Sequence, residues 1–382
     1  MVGHKGIRRV CYVTGTRADF GLMVRTLRLA QQSGRLDVSL CVTGAHLCQQ
    51  FGHTIEEVEA SGLRICGQVP VIVDGTTGAM MAKALGQELL GITDVLERED
   101  PNLVVVLGDR GEMLAAAVAA IHLNLAIVHV HGGERSGTVD EPIRHAISKL
   151  AHYHFVSTEC ARERLIRMGE QPEHVFVTGA PGLDNLAKLV RHSRADLCAE
   201  HGFDAQRPIA VVLFHAVLQE ASQAGKQMEQ IMKAVLDCGI QILALLPNSD
   251  AGGLEIGQVL RRHAHHSDLR IVTHLHREDF VSWMAAADVM VGNSSSGVIE
   301  AASLGLRAVN IGSRQRFRER NPNVVDVPPD ATMIAAAVRN ALGAGRGKWK
   351  NVYGDGNAAQ RIVDRLATLP ITPQLLNKAN AY

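Results

Sequence analysis

No apolar run in this chain approaches the roughly 18 residues of a membrane-crossing helix. The opening stretch, MVGHKGIRR, has no secretory apolar segment and leads straight into a strand-like run. A cytoplasmic protein with no membrane partner is the expectation. No Cys-x-x-Cys occurs among the seven cysteines, Cys11, Cys41, Cys48, Cys66, Cys160, Cys198 and Cys238. An odd, scattered set argues against a disulfide framework and against a structural zinc site, and reads as small buried hydrophobes. Neither sign of charge is in excess, with 39 Lys plus Arg against 39 Asp plus Glu. Nucleic acid and acidic membranes are therefore not expected partners, and an anionic ligand must be met by local charge and backbone amides. No repeat of 20–50 residues and no low-complexity segment is visible. The glycine pattern of a dinucleotide fingerprint is missing too, which weakens a nicotinamide reading.

What is present is an ordinary globular composition, 46% hydrophobic and 20% charged, in 382 residues, a length suited to about two domains. Strand-like apolar runs fall at 9–14, 37–43, 103–107, 126–130, 154–157 and 175–178, and again at 209–214, 241–246, 270–274, 289–292 and 307–311. Their apolar residues are nearly continuous, as in strands covered on both faces, and helical stretches such as 77–97 and 227–237 lie between them. Strand–helix alternation predicts an α/β protein of two doubly wound, Rossmann-like domains facing across a cleft. The polar stretch 189–207 is expected to be the linker between a domain at 1–188 and one at 208–355. Residues 356–382 form a tail whose helix, 358–366, is expected to pack back on the first domain. Ligands of such folds sit outside the carboxyl ends of the strands, so functional residues should follow strands.

Four clusters meet that rule. VTGTRADFG (13–21) places Arg17 at a strand-to-helix turn, with Asp19 as a helix cap. LGDRGEML (107–114) places Asp109 beside Arg110, a candidate base held ionised by its neighbour. HVHGGERSGTVDEPIRH (129–145) puts His129 and His131 on one face of a strand end. Asp140 opens a helix there, and Arg144 lies one turn later to orient it. A metal at the His-x-His pair is disfavoured because no third ligand follows from the spacing. VGNSSSGVIEAASLG (291–305) offers Ser295, Ser296 and Gly297 as a diphosphate cradle, with Glu300 as an acceptor for ribose hydroxyls. Weaker candidates are His215, Asn248, Asp250 and, in the basic run 312–320, Arg314 ahead of Arg316 and Arg318. The competing readings are bland: a turn with a surface Arg, a capping Asp, a Ser-rich cap, solvated charges.

The order of these motifs resembles that of the hydrolysing UDP-N-acetylglucosamine 2-epimerases of bacterial sialic-acid and related nonulosonate synthesis, and of the epimerase half of the animal bifunctional enzyme. TGTRADFG, VTGAH, LGDR, HGGERSGTVDEPIRHAISKLAHYHF, VTGAPGLDNL, LLPNSD and GNSSSGVIE carry the likeness, from residue 9 to about residue 327. The resemblance implies the GT-B architecture, a UDP-sugar substrate with UDP as product, no metal or redox cofactor, and a homo-oligomer, dimer or tetramer. It implies anti elimination of UDP to a 2-acetamidoglucal, then hydration with inversion at carbon 2. Asp109 and Asp140 match two acid–base carboxylates of the family. Arg17, Arg144 and His215 match its substrate and phosphate contacts, and Ser296, Gly297 and Glu300 its diphosphate and ribose site.

Two departures stand out. His131 occupies the place of a carboxylate found in part of the family, which leaves His131 itself or Glu134 to take that role, imidazole being the side chain that changes charge near neutral pH. Ala216, Val217 and Leu218 replace the Pro and Thr common after the His. The resemblance allows UDP-N-acetylglucosamine, giving N-acetylmannosamine, and equally its 2,4-diacetamido-2,4,6-trideoxy analogue, used for legionaminic-type sugars. The loop 73–78, with Asp74, Thr76 and Thr77, is a candidate wall of the sugar pocket. Three other readings compete: a non-hydrolysing 2-epimerase, whose relatives carry GTRPE, a non-catalytic sugar-nucleotide binding protein, and a GT-B glycosyltransferase.

Overall fold

The computed structural model describes residues 7–48, 54–72, 77–247 and 250–382. Along the chain lie β1 (Arg8–Thr14), α1 (Arg17–Gln32), β2 (Leu36–Thr43), α2 (Ile55–Glu59), β3 (Arg64–Val69), α3 (Gly78–Glu99), β4 (Leu103–Leu107), α4 (Gly111–His122), β5 (Ala126–Val130), α5 (Asp140–Leu150), β6 (Tyr153–Val156), α6 (Glu159–Arg167) and β7 (Val175–Val177). Then follow α7 (Arg194–His201), β8 (Ile209–Leu213), α8 (Ala224–Leu236), β9 (Gln241–Leu245), α9 (Gly253–Arg262), β10 (Leu269–Val272), α10 (Arg277–Ala286), β11 (Val289–Gly292), α11 (Ser295–Ile299), β12 (Arg307–Ile311), β13 (Val324–Val327), α12 (Ala331–Ala344), α13 (Ala358–Thr368) and α14 (Pro373–Leu376).

The strands form two sheets, ordered β3-β2-β1-β4-β5-β6-β7 and β10-β9-β8-β11-β12-β13. Every pairing is parallel. The doubly wound α/β reading is thus met. Each strand's alternate residues enter two different cores. Leu103, Val105 and Leu107 of β4 face one apolar cluster, while Val104 and Val106 face another. Ala210 and Val212 of β8 likewise part from Ile209, Val211 and Leu213. Helices cover both faces, which is why the strand sequences are apolar without alternation.

Two strands escaped the sequence reading, β3 and β13. Both are sheet edges, and most of their residues are exposed or half-buried. An edge strand has one hydrogen-bonded neighbour and less cover, so its sequence carries a weaker apolar signal. Residues 189–207 include α7, whose Leu197 and Cys198 are buried with Ile209 and Trp283 in a core of the second sheet. In the tail, Ile362, Val363 and Leu366 of α13 are buried in the same core as Val10, Phe20 and Leu27 of the first sheet's layers.

The last residues are anchored by one buried acid. Glu170 takes Lys149 at 2.7 Å, Lys378 at 2.6 Å and His154 at 2.9 Å. Burial alone would raise its carboxyl, but the hydrogen bond and charge of His154 and the two lysines outweigh that and hold it at about 2. Its contribution to stability is therefore complete above the ordinary carboxylate range and is lost as pH falls through about 2. Glu170→Gln is expected to cost about 2 kcal/mol in urea unfolding at pH 7. The gap to the parent protein should narrow as the pH is taken from about 4 toward 2. A gap that does not change with pH would separate the cost from this charge.

In each sheet the strand order turns back on itself at a pair of central strands, β1/β4 and β8/β11. Crevices open at such switch points. Gly292 ends β11 with φ of 139°, and a Cβ there would stand 2.0 Å from the carbonyl oxygen of Leu213. Only glycine lets the two central strands of the second sheet approach so closely at the crevice.

Candidate active site

The carboxyl ends of both sheets open on one cavity of about 530 Å³, within the range of small-molecule sites. Arg17 reaches it from the turn after β1, Asp109 from after β4, His131 from after β5, and Asp140 and Arg144 from α5. From the second sheet come His215 after β8, Asp250 after β9, Ser295, Ser296 and Glu300 after β11, and Arg314 after β12. Of the sequence candidates, Glu134 and Gly297 do not line this wall. Glu134 lies behind His131, and Gly297 packs α11 on the second sheet, a Cβ there meeting Ala308 at 3.4 Å and Met290 at 3.6 Å. Asn248, Asp74 and Thr76 lie outside the described residues, while Thr77 caps α3 by accepting from the Met80 amide.

Several partnerships differ from those the spacing suggested. Thr16, not Asp19, caps α1. Asp19 sits three positions on and closes a capping box with the Thr16 amide at 2.8 Å. Burial, with Glu112 nearby, raises the Asp19 carboxyl to about 6. Arg110 turns away from Asp109 to Glu112 at 2.8 Å and to Asp250 at 3.4 Å. Arg144 does not orient Asp140, its neighbour on α5; it forms its ion pair with Asp109. A second nitrogen of Arg144 donates to the Glu134 carbonyl at 3.0 Å. Helical spacing makes Asp140 and Arg144 neighbours, but the 1% exposed guanidinium points inward, to Asp109 in the turn after β4 and to the Glu134 carbonyl after β5. Burial, with Arg318 and Arg314 close by, pulls Arg144 well below the ordinary guanidinium range.

Asp140 is left facing the cavity because Glu141 does the local structural work, accepting from the Ser136 and Gly137 amides at 2.9 and 2.8 Å. Its charge is felt by Arg314, where it offsets part of the effect of burial. His129 and His131 part company as well. His129 donates from Nε2 to the Gly108 carbonyl at 2.7 Å and accepts at Nδ1 from the Ser148 hydroxyl at 3.0 Å. Burial holds it neutral, down at about 3. It braces the turn that presents Asp109 and takes no place in the cavity wall.

His131 has left the strand, with φ of 63°, a left-handed conformation uncommon outside glycine. Its Nδ1 lies 2.6 Å from Glu134 Oε1 and 2.8 Å from Ser157 Oγ, and the Ser157 hydroxyl donates to the same carboxylate oxygen at 2.7 Å. A carboxylate only accepts, so Nδ1 carries the proton and Nε2 is left toward the cavity. The other Glu134 oxygen meets Arg318 at 3.2 Å. Burial would raise Glu134, yet Arg318 and His131 outweigh it and bring the carboxyl down to about 2.

On the opposite wall Ser294 caps α11 by accepting from the Ser296 amide at 3.3 Å. His215 and Asn293 exchange hydrogen bonds at 2.7 and 2.8 Å, locking the ends of the central strands β8 and β11 together. Glu300 pairs with Arg277, which also donates to the Gly182 carbonyl at 3.0 Å. Arg17 and Arg314 line the cavity without a carboxylate within 4.0 Å among the described residues, and Arg17 Nη1 is buried with no hydrogen-bond partner there. Guanidiniums placed so are suited to a bound anion.

Sequence reading missed Arg277 and Glu57 on this wall, took Arg110 only as the neighbour of Asp109, and ranked Arg318 behind Arg314. The signal for Arg277 was present, since it follows β10 as the rule of strand ends asks. Glu57 on α2 follows no strand directly and had no such signal.

A family profile described as UDP-N-acetylglucosamine 2-epimerase matches residues 28–367. The chain is 50% identical over 376 residues to the UDP-N,N'-diacetylbacillosamine 2-epimerase (hydrolyzing) of Legionella pneumophila subsp. pneumophila, across 98% of this chain and 100% of that one. It is 30% identical over 371 residues to the UDP-N-acetylglucosamine 2-epimerase of Neisseria meningitidis serogroup B, across 97% of each. The solved structure of Methanocaldococcus jannaschii UDP-GlcNAc 2-epimerase in complex with UDP-GlcNAc and UDP superposes with a TM-score of 0.79 at 20% identity, covering 94% of this chain and 99% of that one. That likeness shows the shared, GT-B-like fold.

Proposed function

Because the chain belongs to the UDP-N-acetylglucosamine 2-epimerase family, we propose that it is a hydrolysing 2-epimerase of a UDP-N-acetyl-hexosamine. The substrate we favour is UDP-N,N'-diacetylbacillosamine, the 2,4-diacetamido-2,4,6-trideoxy sugar nucleotide. The observation that carries the chemistry is the meeting, in one cavity, of Asp109, Asp140 and His131 from the first sheet with Ser295, Ser296 and Arg314 from the second. The whole-length match to the Legionella protein supports the sugar. The Neisseria relative keeps UDP-N-acetylglucosamine as the second reading.

The reaction this supports has two stages. A base removes the proton on carbon 2 while the bond from carbon 1 to the phosphate oxygen breaks. The electron pair of the C–H bond becomes the new C1–C2 double bond, and UDP departs with the C–O pair. Water then adds its oxygen to carbon 1, and a proton returns to carbon 2 on the opposite face. The sum is UDP-sugar plus water giving UDP and the 2-epimer, with every acid and base restored. Asp109, Asp140 and His131 are the groups available for the proton transfers. Arg17 and Arg314 would meet the charge that grows on the leaving diphosphate, together with Ser295 and Ser296. His215 and Asp250 complete that wall, and Glu300 faces the ribose. No step here calls for a metal or redox cofactor.

The test is incubation with each of the two sugar nucleotides in deuterated buffer, with free UDP measured and carbon 2 followed by NMR. Free UDP, a free sugar inverted and deuterated at carbon 2, and a higher rate with the diacetamido substrate are expected. Sugar still attached to UDP at equilibrium would reject hydrolysis in favour of the non-hydrolysing reaction. No turnover of either nucleotide despite binding would favour a non-catalytic sugar-nucleotide binder.

A further inference from the structure

We propose that Glu57, His274 and His276 form a binding site for a dication of the zinc class, which pins the two lobes together at the mouth of the cleft. Glu57 belongs to α2, on the first sheet's side. The two histidines sit on the segment between β10 and α10, on the second. One ligand atom from each residue lies within 4.8 Å of the other two, and no other group of three His, Cys, Asp or Glu among the described residues does this. His276 Nδ1 is 3.2 Å from Glu57 Oε1, close to the separation of about 3.3 Å that two ligands of a tetrahedral zinc ion keep. His274 Nε2 contacts the same oxygen.

The spacing His-x-His on an extended segment turns both rings to one side, and they stand edge to face with centroids 5.2 Å apart. Two imidazoles and a carboxylate are a zinc-type donor set, three ligands that leave a fourth position for water. His276, with 67% of its side chain exposed, puts that fourth position toward solvent. Arg17, whose charge is felt at Glu57, is the one arginine or lysine in that charge balance among the described residues, and it opposes tight binding.

The site takes no part in the proton transfers proposed above. It ties α2 to the second lobe beside Leu275 and Thr273, which line the cavity with Glu57. Release of a product enclosed between two lobes needs them to part, so a bound dication would slow turnover rather than support it.

The experiment uses the full chain, stripped of metal and titrated with Co²⁺, whose visible absorption reports a four-coordinate N/O site, and then with Zn²⁺ as competitor. One Co²⁺ per chain, displaced by Zn²⁺, is expected. His276→Ala should weaken binding at least about tenfold. The double variant His274→Ala/His276→Ala and the single variant Glu57→Gln should lose the absorption band. His276 is exposed, so its variant keeps the fold, checked by circular dichroism. A missing band in the parent protein, or one unchanged in the double variant and thus owed to others of the 18 histidines, would overturn the proposal. The optical readout does not depend on whether the chain hydrolyses sugar nucleotides, so the two readings fail separately.

Discussion

Asp109→Asn is expected to lower kcat by at least about 100-fold, and by up to about 10⁴-fold, the range of an acid–base group. Asparagine has the shape of the acid but not its charge or its capacity to take a proton. Two things happen at once in this variant. The cavity loses a carboxylate at the end of β4, and Arg144 loses its ion-pair partner. A guanidinium with 1% of its side chain exposed and no counter-charge is costly, so some loss of stability accompanies the loss of rate. The two are separated by Asp140→Asn. Asp140 has no ion pair within 4.0 Å among the described residues, so its neutralisation should cut kcat by a similar factor of at least about 100 and leave the melting temperature nearly unchanged. On the proposed reading Arg17, Arg314, Ser295 and Ser296 hold the diphosphate, so UDP binding should survive in both variants. Near-normal turnover in either would remove that carboxylate from the chemistry.

The contrast between these two acids marks how far the sequence could be read. Asp140 stood out because it opens a helix within the densest polar cluster of the chain, and Asp109 because a polar residue ending an apolar run has few reasons to be there besides a ligand. The same rule brought out Arg17, His215, Ser295, Ser296 and Arg314, and the structure places all of them on one cavity. Partnership was the part that chain spacing could not supply. Arg144 is one turn from Asp140 along α5, yet meets Asp109, 35 residues earlier in the chain. Arg110 adjoins Asp109, yet reaches Glu112 and, across the cleft, Asp250. Local spacing dictates which side chains share a helix face. Which of them converge depends on the packing of β4, β5 and α5, a tertiary matter. The edge strands β3 and β13 went unread for a related reason: being partly exposed, they carry Arg64, Gly67 and Gln68 in one and Asp326 in the other, which break the apolar run that marks a strand in this fold.

His131, read from the resemblance as standing in place of a carboxylate, has surroundings that support a definite outcome. His131→Asn is expected to lower kcat by at least about 100-fold, because it removes the one nitrogen of the ring that faces the cavity. Glu134 and Ser157 hold Nδ1 from behind at 2.6 and 2.8 Å, and the left-handed backbone at His131 keeps the ring at this depth. Glu134, brought to about 2 by Arg318 and His131 against its burial, is charged throughout any assay between pH 5 and pH 9. Its effect on the imidazole is therefore constant across that window, and a change of pH there cannot mimic its removal. Glu134→Gln takes away the charge and keeps the shape. The fall in kcat should exceed any rise in KM, since Glu134 does not line the cavity. Ser157→Ala leaves the carboxylate in place, and its loss should be smaller. Arg318 comes from the other lobe, so the support behind His131 is complete only when the lobes are together, and Arg318→Met should weaken kcat in the same direction. If Glu134→Gln changed melting temperature alone and left kcat untouched, the group behind His131 would be a buried structural pair, and the proton transfers would fall to Asp109 and Asp140.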